Sequence, residues 1–165
     1  MPKAKLATRR QNPTLITYVG ILLSLSILLA ISNNSYALKG EPQPKLDSVV
    51  LDIGGHALDT EVAVTAVERQ RGLSYRESLG EDSGMLFVYR QPQPLIFTMR
   101  ETSIPLAIAF LDADFVILEI QQMEPFAKQH YPSQHPAQYA LEVNAGWFRS
   151  HDIKAGMRVN LPKQQ

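Results

Sequence analysis

The sequence predicts a mainly β fold of the α+β kind: a compact, largely antiparallel, barrel-like sheet with two short helices. Three observations support this prediction. Short runs in which apolar and polar residues alternate recur along residues 48–162, as in half-buried strands. Turn-forming residues separate many of these runs at spacings typical of hairpins. Helical patterns are confined to short stretches that carry capping and stop signals.

The first two strands are predicted to form a hairpin. Alternation runs from Val49 to Ile53, reaches Gly54-Gly55, and resumes from Leu58 to Val64. Two adjacent glycines can supply the positive φ angles that a two-residue hairpin turn requires. We therefore expect an antiparallel pair around residues 54–55.

A short helix is predicted directly after this hairpin. Thr65 and Glu68 form a capping box, in which the hydroxyl accepts the N–H three residues on and the carboxylate accepts the Thr65 N–H. Gly72 is a left-handed stop, with Leu73 as the apolar residue beyond it. Residues 74–80 repeat both signals, which predicts a second helical turn beside the first. The box assigns Glu68 a structural role.

The rest of the chain is predicted to form further strands. Their ranges are 84–89, 95–99, 104–111, 115–123, 139–143 and 157–161. Asp112-Ala113-Asp114 is expected to be a tight turn, and Asn144 to cap a short helix that extends to about His151. Residues 123–138 contain three prolines and show no period, which is typical of a loop that covers a cleft.

Four sequence blocks occur in the order typical of one bacterial family. They are Glu68-Arg69-x-x-Gly72-Leu73, Gly84-Met85-Leu86-Phe87, the segment from Phe97 to Phe110, and Glu142-Val143-Asn144-Ala145-Gly146. On these blocks, residues 48–162 resemble the small, β-rich, mostly exported proteins known as domain of unknown function 192 (DUF192). The resemblance implies a fold and not a reaction.

One segment departs from the family pattern. Where the family usually has Trp-Met-Lys-Asn-Thr and Ile-Pro-Leu-Asp, this chain has Thr98-Met99-Arg100-Glu101-Thr102 and Ile104-Pro105-Leu106-Ala107. An aromatic side chain, an amide and a carboxylate are therefore replaced. The resemblance implies that this chain binds a different ligand or has kept only the fold.

The N-terminal sequence predicts export. Residues 1–14 carry four basic and no acidic residues, residues 15–31 are almost wholly apolar, and Ser35-Tyr36-Ala37 has small residues where a signal peptidase cleaves. We expect cleavage after Ala37, with a single membrane anchor at residues 15–31 as the alternative. The expected location is periplasmic or secreted, with any membrane attachment through this segment. Residues 38–47 are predicted to be an exposed linker and residues 48–162 one domain.

Composition argues against several classes of function. Removal of the four basic residues before position 38 leaves 12 of the 16 Lys+Arg against 16 Asp+Glu, a net charge of −4, so a nucleic-acid partner is not expected. The absence of cysteine excludes disulfides, a thiolate nucleophile and a cysteine zinc site. His130 and His135 lack chelating spacing, so we predict no metal and no cofactor. No catalytic motif occurs, and no catalytic residue is predicted.

A binding site is predicted where two polar rows meet. On strand alternation, Arg100 and Glu142 each lie opposite the apolar face of their strand, so neighbouring strands would bring them together as an ion pair beside a groove. The alternative is an exposed cross-strand pair with no ligand. The candidate ligand- or partner-binding residues are Arg69, Arg100, Thr102, Glu142 and Asn144, and those expected to be structural are Glu68, Gly72, Gly84, Pro105 and Gly146.

These observations predict a non-catalytic binding or interaction module at the cell envelope, with a small polar ligand or an envelope protein as its partner. The alternative is an envelope sugar or peptide hydrolase or lyase that uses two carboxylates, from a pool of Glu101, Asp112, Glu119 and Glu142. A metal-handling role would require methionine sulfurs and histidine nitrogens to converge.

Overall fold

A computed structural model describes residues 40–161 of the protein. The predicted signal or anchor therefore lies outside the described residues. Within residues 40–161, no helix is long and apolar enough to cross a membrane. The elements of this range are β1 Ser48–Ile53, β2 His56–Ala63, α1 Ala66–Arg71, β3 Ser83–Gln93, β4 Ile96–Thr98, β5 Leu106–Leu111, β6 Ile117–Met123, β7 His130–Pro132, β8 Ala137–Asn144, α2 Trp147–Ser150 and β9 Val159–Asn160.

Seven of these strands form one curled sheet in the order β6-β5-β8-β3-β2-β1-β9, and β4 pairs with β7 in a second, two-stranded sheet. Every pairing is antiparallel except that of β2 with β3, which α1 connects. A bridge between Val116 and Arg158 links the two edges of the curled sheet. The predicted mainly β, largely antiparallel, barrel-like fold with two short helices is confirmed.

The local signals of the first hairpin and the first helix are confirmed. Gly54 and Gly55 both have positive φ and connect β1 to β2. Thr65 and Glu68 make both hydrogen bonds of the capping box, and Gly72 ends the helix at a φ of 48°. The predicted second helical turn is wrong: residues 74–80 are irregular, because Tyr75 adopts a positive φ that a right-handed helix cannot contain.

Both faces of the central strands are buried. One face carries Met85, Phe87 and Ile108, which belong to a core cluster that includes residues of β4 and β7. The other face carries Leu86 and Leu141, which pack in a second cluster with both aromatic residues of α2. The sequence pattern predicted one apolar and one polar face. The difference arises because β4 and β7 cover the face that was expected to be open.

Residues 40–47 were expected to be an exposed linker, and Gln43 departs from that expectation. Its side chain is buried, and its amide donates hydrogen bonds to the backbone carbonyls of Glu68 and Gly72 at the end of α1. The Leu46 N–H is also bound, by the carboxylate of Glu61 on β2. This part of the chain therefore packs on the domain.

Candidate functional site

A cleft of about 330 Å³ lies where α1 and the turn after it face β4. Its walls come from two segments, residues 69–74 and residues 96–102. Its remaining wall comes from the curled sheet: Phe87 and Tyr89 of β3 and Glu142 of β8. Four of the five predicted binding residues therefore line one cavity: Arg69, Arg100, Thr102 and Glu142.

Glu142 is the least ordinary group in this cleft. It is 5% exposed, and its neighbours across the sheet are Met85 on β3 and Ile108 on β5. Burial in this apolar surrounding raises the pKa of the Glu142 carboxyl from its ordinary 4.5 to about 8. The group is therefore mostly protonated at pH 7 and can donate a hydrogen bond as well as accept one.

The Glu142 carboxyl has no hydrogen bond or ion pair with any residue of the range 40–161. Within the same range, no buried side-chain oxygen or nitrogen lacks both a partner and access to solvent. The carboxyl oxygens consequently reach the cleft. A buried polar group of this kind gains free energy when a ligand satisfies it, because a missing hydrogen bond costs about 1–3 kcal/mol.

Arg69 is held in place at the cleft wall by the backbone. Its guanidinium donates to the carbonyl oxygens of Val64 and Val88 and lies 4.6 Å from the centroid of the Tyr89 ring. Burial raises the pKa of the Tyr89 hydroxyl, an effect that Glu142 increases and Arg69 opposes. Arg69 forms no ion pair with a carboxylate among residues 40–161. The guanidinium instead donates to the backbone just after β2 and in the middle of β3.

Arg100 and Thr102 lie on the opposite wall. Arg100 is exposed and forms no ion pair with any described residue, so the predicted Arg100–Glu142 pair is wrong. The physical reason is that Glu142 is buried on the face of the first core cluster, beside Met85 and Ile108, while Arg100 is at the surface. Thr102 is buried, and its backbone joins the turn at Met99 to Phe126. The proline-rich residues 124–138 do not line this cleft, contrary to expectation.

Asn144 lies elsewhere. Its amide donates to the carbonyl oxygens of Leu79, Gly80 and Glu81, so it closes the loop before β3. The expectation that Asn144 caps α2 is wrong. Gly146 occupies that position with a φ of 87° and no side-chain hydrogen bond.

The residues expected to be structural occupy backbone junctions. A side chain at Gly84 would place its Cβ 2.8 Å from the carbonyl oxygen of Glu142, so only glycine lets β3 and β8 approach this closely. Pro105 accepts the N–H of Ala145 just before β5. The roles of Glu68 and Gly72 are those of cap and stop described above.

A second depression, of about 540 Å³, lies beside residues 42–45 and 75–84. It contains an ion pair in which the partly buried Arg76 guanidinium donates to both carboxylate oxygens of the buried Glu61, at 2.5 and 2.8 Å. Burial works to raise the pKa of Glu61, but the hydrogen bonds from Arg76 and the Leu46 N–H outweigh it and hold the pKa below its usual value. Because these charges already satisfy each other, the Glu142 cleft is the better candidate for a ligand.

Sequence reasoning missed Tyr89, Phe87 and Phe97 as members of the cleft. Alternation could have placed Tyr89 beside Phe87, since the two are separated by one residue on β3 and share a face. The part of the chain that the structure describes contains no group of three or more His, Asp or Glu residues that could hold a metal ion.

The fold and the cleft define a class: a small β-rich domain whose curled sheet and overlying two-stranded sheet enclose a cleft with a buried carboxyl that has no partner among residues 40–161. The chain belongs to the DUF192 family, described as "Uncharacterized ACR", which it matches over residues 49–161. The family resemblance found in the sequence is thereby confirmed.

Two solved structures are similar to this chain. One is described as a "putative transcription regulator" from Sinorhizobium meliloti 1021, with 29% identity and a TM-score of 0.69 over 72% of this chain and 97% of that one. The other is a protein of unknown function from Novosphingobium aromaticivorans DSM 12444, with 32% identity and a TM-score of 0.68 over 73% of this chain and 89% of that one. No curated protein matches the chain.

Proposed function

We propose that this chain is a non-catalytic, extracytoplasmic binding module that holds a carboxylate-bearing ligand, either a small polar molecule or part of an envelope protein, in the Glu142 cleft. The observation that carries the proposal is the buried carboxyl of Glu142, which reaches the cleft and has no partner in residues 40–161. Because this carboxyl is protonated at neutral pH, it donates a hydrogen bond to a carboxylate without opposing its charge.

Charge supports an anionic ligand. Arg69 and Arg100 line the cleft against two carboxyl groups, Glu101 and the mostly neutral Glu142. The cleft is therefore positive in a chain that carries a net charge of −4 beyond position 37. The same net charge gives no support to nucleic-acid binding, so the description of the Sinorhizobium protein is not extended to this chain.

N-acetylleucine, which has one carboxylate and one apolar side chain, tests the proposal. NMR titration of the full-length chain should shift the amide signals of Arg69, Ile96 and Arg100 and leave the indole of Trp147 unchanged, since Trp147 packs in the other core cluster. Glu142→Gln, which keeps a donor, should retain binding, and Glu142→Leu should lose it. Arg100→Ala should weaken the binding of N-acetylleucine. Arg149→Ala, which removes a charge on α2, is its matched control and should not. If the amide of N-acetylleucine bound as tightly as the acid, a carboxylate site would be refuted.

The pH dependence provides a second test of the same site. Ionisation of Glu142 above pH 8 places a negative charge against the ligand, so the affinity for N-acetylleucine should fall by up to about tenfold per pH unit there. Glu142→Gln should show a flat profile over the same range. A fall of equal size in both proteins would assign the effect to another group.

The extracytoplasmic location rests on the N-terminal sequence. We expect protein isolated from its native host to begin at Leu38 and to fractionate outside the cytoplasm. N-terminal sequencing that returns residues 1–14 intact would refute cleavage, and fractionation then separates a membrane anchor from a cytoplasmic protein.

A second candidate is a hydrolase or lyase acting on an envelope sugar or peptide. The observation that favours it is that Glu101, a second carboxyl, lines the same cleft as Glu142, whose raised pKa suits a general acid. Release of soluble products from purified cell-wall fragments, lost in Glu142→Gln while N-acetylleucine still binds, would establish this activity over simple binding.

A further inference from the structure

Strand β4 has an outer edge whose backbone groups are unused. β4 pairs with β7 in the register Ile96↔Pro132, Phe97↔Tyr131 and Thr98↔His130. Just before this register, the Ser133 N–H donates to the Leu95 carbonyl at 2.8 Å. Hydrogen-bonded and non-hydrogen-bonded pairs alternate in an antiparallel ladder, so Phe97 bonds to β7 and the backbone groups of Ile96 and Thr98 point away from it.

These outward-pointing groups have no backbone partner among residues 40–161. Ile96, Phe97 and Thr98 all line the Glu142 cleft, so this edge borders the cleft. Natural sheets protect an edge by keeping it short or by placing a charge, a proline or a bulge on it. β4 is short, at three residues, but it carries no charge, proline or bulge, and Ile96 is 66% exposed.

We infer that the occupant of the Glu142 cleft is the C-terminal end of an extended peptide, which adds as a strand to the free edge of β4 and presents its terminal carboxylate to Arg100. This inference rests on the proposed function and names its ligand class. Addition of a strand to an exposed edge is a general mode of peptide recognition, in which the backbone gives affinity and pockets for alternate side chains give specificity.

The position of Arg100 sets the direction of the peptide. Arg100 follows Thr98 by two residues, beyond the C-terminal end of β4. A carboxylate at that end requires a peptide that runs in the same direction as β4. Three residues of strand span about 10 Å, so three or four peptide residues pair with the edge. One apolar side chain then lies against Phe87 and Phe97 in the cleft.

Four probes test the inference by calorimetry on the full-length chain. They are acetyl-Ala-Val-Ala-Leu with a free carboxylate, its C-terminal amide, and two versions of the acid N-methylated at residue 2 or at residue 3. The acid should bind at least about tenfold more tightly than N-acetylleucine, since it adds backbone hydrogen bonds. The C-terminal amide should bind at least about tenfold more weakly than the acid, because it lacks the negative charge that faces Arg100.

The two N-methylated isomers control for each other. Only every second amide of a strand faces its neighbour. One N-methylated isomer should therefore bind at least about tenfold more weakly than the unmethylated acid, and the other should bind within about threefold of it. Equal losses in both isomers, or none in either, would overturn strand addition.

Thr98→Pro tests the same edge from the protein side. It removes an outward N–H that β7 does not use, so it should lower the ratio of tetrapeptide affinity to N-acetylleucine affinity at least about tenfold, with Thr98→Val as control. A tetrapeptide that binds no better than N-acetylleucine refutes the inference while the carboxylate site stands. Failure of N-acetylleucine and every peptide to bind refutes the proposed function as well.

Discussion

Replacing Glu142 by Gln should abolish most of the pH dependence of the protein's stability between pH 4 and 9. In the folded chain the pKa of Glu142 is about 8, against 4.5 when the group is exposed. Between these values the folded protein retains a proton that the unfolded chain has released, so the free energy of unfolding decreases as pH rises. At about 1.4 kcal/mol per pH unit, the decrease is about 3 kcal/mol at pH 7 and about 5 kcal/mol above pH 8.

The assay is urea unfolding followed by the fluorescence of Trp147, the single tryptophan. The advantage in stability of Glu142→Gln over the natural protein should grow from pH 4 to pH 8 and then remain constant. Glu61→Gln is the control, because its effect on the free energy of unfolding should change with pH in the opposite direction. Because the Glu61 pKa is lowered, its ionised form stabilises the fold above pH 4.5, and that contribution is lost as the pH falls. A constant difference between Glu142→Gln and the natural protein from pH 5 to 9 would refute the burial argument.

Three further predictions concern stability and use the same unfolding assay. Arg76→Leu should cost about 3–5 kcal/mol because it leaves Glu61 charged and buried, and a double variant that also carries Glu61→Leu should recover most of that loss. Gly55→Ala should lower the free energy of unfolding by about 1–2 kcal/mol through its positive φ alone. Gly72→Ala should lower it further, because the added Cβ also meets the Phe87 ring at 3.2 Å. Equal losses of stability in the two variants would contradict this. Gln43→Ala should cost about 1–3 kcal/mol by removing the donor to the buried Gly72 carbonyl and the partly buried Glu68 carbonyl, whereas an unchanged midpoint would show that these two bonds contribute nothing to stability.

The parts of the fold that were predicted correctly depend on short-range rules. The Gly54-Gly55 turn and the Thr65 cap need only a few neighbouring residues to specify them, and both are present. The same rules failed at Asn144 because its amide binds a loop more than 60 residues earlier in the chain. A capping signal cannot exclude a distant competitor for the same side chain.

The candidate site shows where alternation stops being informative. Alternation correctly placed Glu142 opposite Leu141 and Val143, and four of the predicted residues line one cleft. It could not indicate that a second sheet covers this face, since that depends on the pairing of β4 with β7 across more than 30 residues. The buried, neutral state of Glu142 follows from that covering, and so the predicted ion pair with Arg100 does not form.

The bridge between the two edges of the curled sheet has a consequence for how the chain folds. Asp52 on β1 and Asn160 on β9 are joined by a side-chain hydrogen bond across 108 positions of sequence, and Gly156 and Met157 bond to Ile117 near them. The Asp52–Asn160 contact closes one of the longest loops among the described residues, and long-range closure slows folding. While residues 156–160 are still being synthesised, β1 and β6 each lack this neighbour. The curled sheet therefore cannot close until residues 156–160 have been made.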